Sequence, residues 1–441
     1  MNIWAAADPV PQIGEHALLI LLIQIAVLIG VATILGKVAN RFGLPSIVGE
    51  LSAGIVMGPS ILGSISPDVE NWLFPAVAAQ QNLLDAVGQI GILLLVGLSA
   101  AQLDTAFVRR RVGVVASVSA GAFVVPLGAG IAAGFLLPDT LIGEGTSNVT
   151  FAVLIGTALS ASAVPVIAKT LLEMGLLHRN VGQLTLASGT VVDAAAWVML
   201  SVVSAMATVG VRAGKIVWTI ASLVLLVAAA LLLLRPLVKV VLDRAEKHSD
   251  QRTTIATVVV VILGCAAATQ ALHLEAILGA FVAGVVVGQN RAALLAPLRT
   301  VVMTVFAPLF LATAGLRVDL SVLADPRVLL AGVGVLAVAT ASKFVGSYAG
   351  ARVVGLPRLE SVALGAGLNA RGAVEIVIAM VGLRLGVFGA EAYAVIVFVA
   401  VVTSVMAPPI LRWSMSRVDH TTEEEQRAQL HEKWETTPGR E

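Results

Sequence analysis

Thirteen long apolar segments limit what this chain can fold into. They lie at about residues 17–36, 46–58, 83–101, 112–136, 150–174, 183–208, 215–235, 253–271, 275–288, 296–316, 328–351, 360–384 and 393–415. A helix needs ~20 apolar residues to cross the hydrocarbon core of a bilayer, and several segments exceed that length. Only 12% of the 441 residues are charged, whereas soluble domains carry about 25%. We therefore predict an all-α polytopic membrane protein with about 13 transmembrane helices.

The same composition argues against several other functions. The net charge of +1 gives no electrostatic basis for binding nucleic acid. Cys265 is the single cysteine, so an intrachain disulfide framework is excluded. The spacing of cysteine and histidine predicts no metal-binding motif, and we expect neither a cofactor nor an enzymatic activity.

The distribution of Lys and Arg between segments predicts the orientation of the chain in the membrane. Odd-numbered connections carry most of these residues, as in the run Arg109, Arg110 and Arg111. Even-numbered connections carry few, and Asp68 and Asp139 lie among them. Because basic connections stay in the cytoplasm, we predict an N-terminus outside and a C-terminus inside. We expect a multi-pass protein of the cell membrane, most simply a bacterial inner membrane.

An internal repeat relates the second and ninth segments. The sequence IVGELSAGIVMG (47–58) matches ILGAFVAGVVVG (277–288) at a constant offset of 230 residues, with six identities. Patterns of small residues are common at helix contacts, but one offset with six identities favours a repeat. Since the copies are the second and ninth segments, seven positions apart in the order, the second copy enters the membrane the opposite way up. This spacing predicts an inverted-topology repeat, which is typical of transporters.

Two segments carry residues that interrupt a helix at mid-span. The fifth places Pro165 behind Ser160 and Ser162, and the twelfth contains Asn369, Arg371, Gly372 and Glu375. Pro165 alone is equally compatible with an ordinary kink. Interrupted backbone at membrane depth is tolerated only where protein or a wet cavity satisfies its polar groups. Two such segments in opposite orientation predict a pair of crossed, broken helices at the midplane.

Two charged residues stand alone in apolar segments. Asp193 lies in TLASGTVVDAAAW (185–197), and its nearest charged neighbours in the sequence are Arg179 and Arg212. Lys343 lies far from both ends of the eleventh segment, whereas a lysine that snorkels normally sits near an end. A carboxylate at mid-membrane costs about 2.5–3.5 kcal/mol on insertion scales and usually marks an ion or proton path. We predict a functional role for both residues.

The remaining intramembrane charges favour structural roles. Arg371 and Glu375 are spaced i,i+4 and are expected to pair with each other and satisfy the ends of a broken helix. Glu173 is another possible partner for Arg371. Glu50 is equally compatible with a functional role and with satisfying a helix end. The polar tail at 418–441 is expected to be solvated and cytoplasmic.

Five stretches together resemble the monovalent cation/proton antiporters. The likeness is nearest to the branch that holds sodium/proton antiporters, potassium-efflux systems and plant cation/proton exchangers. The stretches are RFGLPSIVGELSAGIVMGPSILG (41–63), GQIGILLLVGLSAAQLD (88–104), ALSASAVPVIAKTLLEMGLL (158–177), VVDAAAW (191–197) and LNARGAVEIVIAMVGLRLGV (368–387).

This resemblance implies a domain arrangement and a site. It implies a homodimer that works by elevator-like alternating access. Asp193 matches the family's ion-binding aspartate, Ser162 the polar residue of the broken fifth helix, and Lys343 the basic residue of the eleventh. The expected ion- and proton-binding residues are therefore Asp193 and Ser162, whose oxygens suit a small monovalent cation. The implied regions are dimer-domain helices at 1–111 and 252–327, core-domain helices at 112–208 and 328–417, a linker helix with a cytoplasmic loop at 209–251, and the tail at 418–441.

Two departures from the family pattern affect the expected mechanism. Val192 precedes Asp193 where relatives place an acidic or amide residue, and Ser99 stands where relatives place Glu. A single carboxylate predicts electroneutral exchange of one monovalent cation for one proton. Sodium is the favoured cation, and potassium is possible. The alternative is a proton-coupled exporter of an organic cation, drug or metabolite on the same scaffold.

Overall fold

The computed structural model describes residues 14–75, 77–101, 110–164, 179–209, 235–247, 251–272, 274–288 and 295–418, with the single residues 167, 171, 174, 176, 232 and 424. This part of the chain contains no β-strand. Its principal helices are α1 (Glu15–Arg41), α2 (Ser46–Met57), α3 (Ala78–Ala101), α4 (Val112–Gly134), α5 (Asn148–Ser160), α6 (Asn180–Val209), α7 (Arg235–Lys247), α8 (Gln251–Ala271), α9 (Ala276–Val287), α10 (Ala296–Leu316), α11 (Pro326–Val353), α12 (Arg358–Leu368), α13 (Ala373–Arg384) and α14 (Ala390–Met415).

Most of the predicted segments are helical. Nine helical stretches of the described residues are long and apolar enough to cross a bilayer, and α12 with α13 forms a further span bent by 43°. Helices occupy twelve of the thirteen predicted segments. The seventh segment, 215–235, lies almost wholly outside the described residues, so the count of thirteen stays a prediction. Helix α7 lies in the region predicted as a cytoplasmic loop and buries Val238 and Leu242.

The outer surface of the bundle is apolar, as a bilayer requires. Helix α1 exposes Leu19, Leu22 and Ile34, and α11 exposes Leu330 and Val345. A soluble monomer rarely exposes contiguous apolar surface on this scale. These faces therefore suit contact with lipid.

Helix packing is concentrated in two sets. Helices α1, α2, α3, α8, α9 and α10 pack mainly with one another, and α4, α5, α6, α11, α12, α13 and α14 do the same. Between the sets the principal helix contacts are those of α6 with α9 and α10 with α13. The interface between the sets is where the site described below lies.

The two copies of the sequence repeat pack in the same way. A Cβ at Gly49 of α2 would overlap the carbonyl oxygen of Leu35 in α1, and a Cβ at Gly279 of α9 would overlap that of Cys265 in α8. Leu35 and Cys265 are themselves separated by the repeat offset of 230 residues. Each copy therefore needs glycine at the same position, because the preceding helix approaches its backbone directly.

A second glycine in each copy of the repeat also contacts the backbone of another helix. Gly54 in α2 lies against the carbonyl oxygen of Ala312 in α10, and Gly284 in α9 lies against that of Gly97 in α3. Each short helix is thus held between the helix before it and a helix of the other copy.

Candidate functional site

Helix α5 ends at Ser160, and Lys343 satisfies that end. Lys343 Nζ donates to the carbonyl oxygens of Ser160 at 2.5 Å, Ala161 at 3.2 Å and Ala122 at 3.1 Å. The last carbonyls of any helix lack N–H partners within the helix, and hydrocarbon offers none. Lys343 is fully buried, with 0% exposure. It therefore does not snorkel, and its charge lies at the negative end of the α5 dipole.

Asp193 satisfies the opposite side of the same interruption. Its two carboxylate oxygens accept hydrogen bonds from the backbone N–H groups of Ser162 at 3.2 Å and Val164 at 3.3 Å. Val164 and Ile167, which are described residues after this point, are helical. A carboxylate at the start of a helix interacts favourably with the helix dipole. The side chain is 5% exposed, and that remaining surface is what a substrate can reach.

The twelfth predicted segment is also interrupted where the sequence indicates. Helix α12 ends at Leu368 and α13 begins at Ala373. Gly372 has a φ of 152°, a conformation that side-chain-bearing residues avoid. The amide of Asn369 is fully buried, and neither its nitrogen nor its oxygen has a hydrogen-bond partner.

The two interruptions are in direct contact. The N–H of Ala163 donates to the carbonyl oxygen of Ala370 at 3.2 Å. The Ser162 hydroxyl donates to the carbonyl oxygen of Leu368, the last residue of α12, at 3.1 Å. The sequence places these residues more than 200 positions apart. Ser162 was expected to face the ion through its hydroxyl, but here that hydroxyl serves the other helix end.

Arg371 and Glu375 form the ion pair that their spacing predicts. The Nη1–Oε1 distance is 3.2 Å, and both side chains are buried. Arg371 also donates to the carbonyl oxygens of Ala158 at 3.2 Å and Ala339 at 3.1 Å. The Ser404 hydroxyl donates to the carbonyl oxygen of Arg371 at 2.5 Å. This group ties α13 to α5, α11 and α14.

A cavity of about 30 Å³ adjoins Asp193. Its walls include Thr190 and Trp197 of α6 on one side, and Ser99 of α3 and Phe281 of α9 on the other. Such a volume holds one or two water molecules. Among the described residues that line it, Asp193 is the only carboxylate. Thr190 was missed by the sequence analysis, although it lies three residues from Asp193 on the same helix face.

Val192 does not add a second polar group to the cavity beside Asp193. Its side chain is fully buried in the apolar core and does not line the cavity. Arg371 and Glu375 do not line it either. The structure thus brings Asp193, Ser162 and Lys343 to one interruption and leaves Asp193 as the group that meets the cavity.

A larger cavity of about 100 Å³ lies beside the first, and Ile92 and Val377 line both. Its walls carry two ion pairs. Arg384 Nη2 lies 3.1 Å from Glu275 Oε2, and Ser204 donates to the other oxygen of Glu275 at 2.8 Å. Arg317 pairs with Asp85. Sequence reasoning missed these pairs because each joins segments distant along the chain.

The expectation of a solvated tail is wrong at Glu424. Its carboxylate lies 3.2 Å from Arg179 Nε and accepts a hydrogen bond from the backbone N–H of Asn180 at 2.6 Å. Both charged side chains are nearly fully buried. Glu424 thus caps the first turn of α6, the helix that carries Asp193, and an ion pair of that kind cannot be read from a short polar tail.

Two predicted residues lie outside the described part of the chain. Pro165, expected to break the fifth helix, and Glu173, expected as an alternative partner of Arg371, are both in this group. Glu50 is described, half-buried, with its side chain beside Gly36 of α1.

Comparison with known proteins gives one consistent result. Residues 25–417 match the family model described as sodium/hydrogen exchanger, transmembrane. The Na(+)/H(+) antiporter NhaS4 of Synechocystis is 30% identical over 90% of this chain and 97% of its own length. The Na(+)/H(+)-K(+) antiporter GerN of Bacillus cereus is 24% identical over 90% of this chain and 96% of its own.

A plant relative is longer than this chain. Cation/H(+) antiporter 18 of Arabidopsis thaliana is 27% identical over 90% of the chain, which spans only 49% of that protein. Among solved structures, the sodium proton antiporter MjNhaP1 of Methanocaldococcus jannaschii superimposes with a TM-score of 0.66 at 15% identity, covering 93% of this chain and 99% of that one. At this identity the likeness concerns the fold alone.

Proposed function

The chain belongs to the sodium/hydrogen exchanger family and is a multi-pass cation/proton antiporter, and we propose that Asp193 is where its cation and its proton compete. The observation that carries this proposal is the single carboxylate on the cavity wall. A bare carboxylate resists burial, whereas one that holds a cation or a proton is neutral and is buried at much lower cost. Only the loaded forms cross, and this rule is sufficient for antiport.

The transported ion in this proposal is a monovalent inorganic cation, with sodium favoured over potassium. Carboxylate and hydroxyl oxygens are the hard ligands that such ions prefer. Relatives are named for sodium and for potassium, as with NhaS4 and with the K(+)/H(+) antiporter 1 of Saccharomyces cerevisiae. The organic-cation alternative is not favoured, since these relatives are named for inorganic cations and protons.

Movement in the proposed mechanism is of the elevator type. The set that contains α5, α6 and α11 to α14 is the proposed mobile core, and the set that contains α1 to α3 and α8 to α10 is the proposed dimer domain of a homodimer. The sparse contacts between the sets support this division. The arrangement includes thirteen membrane helices, an inverted repeat, crossed broken helices, an external N-terminus and a cytoplasmic C-terminus.

Lys343, in this proposal, keeps the interruption after Ser160 intact when Asp193 changes its load. Its hydrogen bonds to three carbonyl oxygens do not involve the carboxylate. Arg371 and Glu375 have a structural role in this proposal. They pair with each other, and Arg371 also donates to backbone carbonyl oxygens of α5 and α11.

Replacement of the proposed carrier group tests the central assignment. We expect Asp193→Asn to reduce cation-dependent proton movement in proteoliposomes to the level of empty liposomes, because Asn binds neither a proton nor a cation strongly. Fluorescence dequenching with Na⁺, Li⁺ and K⁺ at several pH values measures this. Asp68→Asn is the matched control, since Asp68 is exposed. Normal dequenching by Asp193→Asn would remove Asp193 from its role.

The proposed stoichiometry of one cation for one proton has its own test. With one titrating carboxylate, the exchange moves no net charge. Solid-supported-membrane recordings of wild-type protein should therefore show no sustained current when sodium is applied at equal pH. A robust pH-jump current that sodium reverses would contradict electroneutral exchange and point to a second proton carrier, for which Lys343 is the obvious candidate.

A further inference from the structure

Ser99 of α3 has a hydroxyl that no described residue satisfies. Its Oγ is buried, and it has no hydrogen-bond partner in the part of the chain that the structure describes. Most buried hydroxyls in helices donate to a carbonyl one turn earlier, as Thr190 does to Leu186 at 2.8 Å. Buried polar groups without partners are rare in native proteins and require an explanation.

The position of Ser99 supplies one. It lies on the wall of the 30 Å³ cavity that adjoins Asp193, and it belongs to α3, whereas Asp193 belongs to α6. The other residues that α3 and α9 contribute to this wall are apolar, among them Leu95, Val96 and Phe281. Ser99 is thus the one polar side chain, among the described residues of the opposite set of helices, that lines the cavity beside Asp193.

The size of the cavity restricts what can sit between them. Room for one or two water molecules is too little for an alkali cation with a full hydration shell. An ion that enters must exchange most of its water for protein oxygens, as ions do in selectivity filters. Asp193 and the hydroxyl of Thr190 provide oxygens on one wall, and among the described residues of the other wall Ser99 alone provides a side-chain oxygen.

We propose that Ser99 Oγ is a specificity-determining ligand of the transported cation, completing from α3 a small oxygen site built on Asp193 that favours Na⁺ and Li⁺ over K⁺. The inference rests on the proposed role of Asp193, and it adds that the site selects among cations by their size. The hydroxyl contributes a lone pair without adding charge, so it alters selectivity without altering stoichiometry.

Three variants test this role by the ratio of apparent affinities. Ser99→Ala removes the ligand and adds no volume, and Ser99→Thr retains the hydroxyl. Ser201→Ala is the matched control, because Ser201 is fully buried on α6 but its hydroxyl already donates to the Trp197 carbonyl oxygen at 3.1 Å. The KM values for Na⁺, Li⁺ and K⁺ are measured by dequenching in proteoliposomes at fixed pH, and melting temperature is measured in parallel.

We expect Ser99→Ala to raise the KM for Na⁺ and Li⁺ about fivefold, the loss of roughly one ligand interaction. The KM for K⁺ should change less, and kcat for each ion should stay near wild type. Ser99→Thr should keep the wild-type ratio, and Ser201→Ala should change nothing. If Ser99→Ala is poorly folded, Ser99→Cys offers a near-isosteric side chain with a soft sulfur and should show the same loss.

The outcomes separate this inference from the function beneath it. Ser99→Ala or Ser99→Cys with an unchanged ratio of KM values, while Asp193→Asn is inactive, overturns the role of Ser99 alone. A wild-type protein that couples no monovalent cation to proton movement overturns the proposed function. A uniform loss of kcat with constant KM ratios would show that Ser99 acts in packing, and this too overturns the proposal.

Discussion

The two helix interruptions meet at one point of the molecule, yet they are satisfied in opposite ways. At the interruption after Ser160, charged side chains from other helices reach in: Lys343 at one end and Asp193 at the other. At the interruption between Leu368 and Ala373, the charged groups are local, since Arg371 and Glu375 pair with each other.

This difference assigns different tasks to the two interruptions. At the first, Asp193 is both the partner of two backbone N–H groups and the wall of a cavity. Binding of an ion or a proton there must change how strongly the carboxylate holds that backbone. At the second, the ion pair is buried and does not border the cavity. We infer chemistry at the first interruption and rigidity at the second.

The comparison predicts its largest effect at Lys343. Lys343→Ala leaves the carbonyl oxygens of Ser160, Ala161 and Ala122 without their donor. A buried acceptor that loses its hydrogen-bond partner costs about 1–3 kcal/mol, and this change affects three of them. We expect the melting temperature in detergent to fall by many degrees. Transport should also be lost, because the backbone that donates hydrogen bonds to Asp193 is then no longer held in place.

A control for Lys343→Ala is Lys239→Ala, since Lys239 is exposed on α7. Melting curves and dequenching assays are run on both variants. An unchanged melting temperature in Lys343→Ala would show that the three hydrogen bonds do not hold the interruption. The claim that side chains from other helices stabilise the interruption after Ser160 would then be wrong.

Much of this arrangement can be predicted from the sequence because hydrocarbon imposes simple rules. Apolar length gives most of the helices, and a lone Asp193 in an apolar segment is conspicuous on cost alone. The repeat offset anticipates that Gly49 and Gly279 have equivalent contacts. The motif at Asn369 to Gly372 predicts the interruption between α12 and α13 at the observed place, since both arginine and a glycine at mid-span disfavour an uninterrupted membrane helix.

The rest depends on contacts between distant parts of the chain. Pro165 predicts an interruption near itself, but α5 already ends at Ser160, where Lys343 provides the alternative partner for its carbonyl oxygens. The target of the Ser162 hydroxyl, Leu368, belongs to another segment and cannot be read from local pattern. The pairing of Glu275 with Arg384 has the same origin. Sequence pattern identifies costly groups, while tertiary structure decides which groups satisfy one another.

The smaller effect predicted by the comparison is at Glu375. Glu375→Gln keeps the shape of the side chain and one acceptor for Arg371 but removes the negative charge. We expect the free energy of unfolding to fall by about 1–3 kcal/mol, the range for a charged hydrogen bond that is weakened rather than lost. Transport should persist with wild-type KM values for Na⁺ and K⁺, because Glu375 does not reach the cavity.

Glu15→Gln, at the exposed start of α1, is the control for loss of a carboxylate. Thermal melting in detergent measures the stability of both variants, and dequenching gives their KM values. A Glu375→Gln protein that melts like wild type but shows altered ion affinity would reverse the assignment, since it would place the titrating chemistry at the second interruption. A lower melting temperature with intact affinity is what a purely structural ion pair requires, because the cavity and its carboxylate are then unchanged while the junction of α13 with α5 and α11 is weaker.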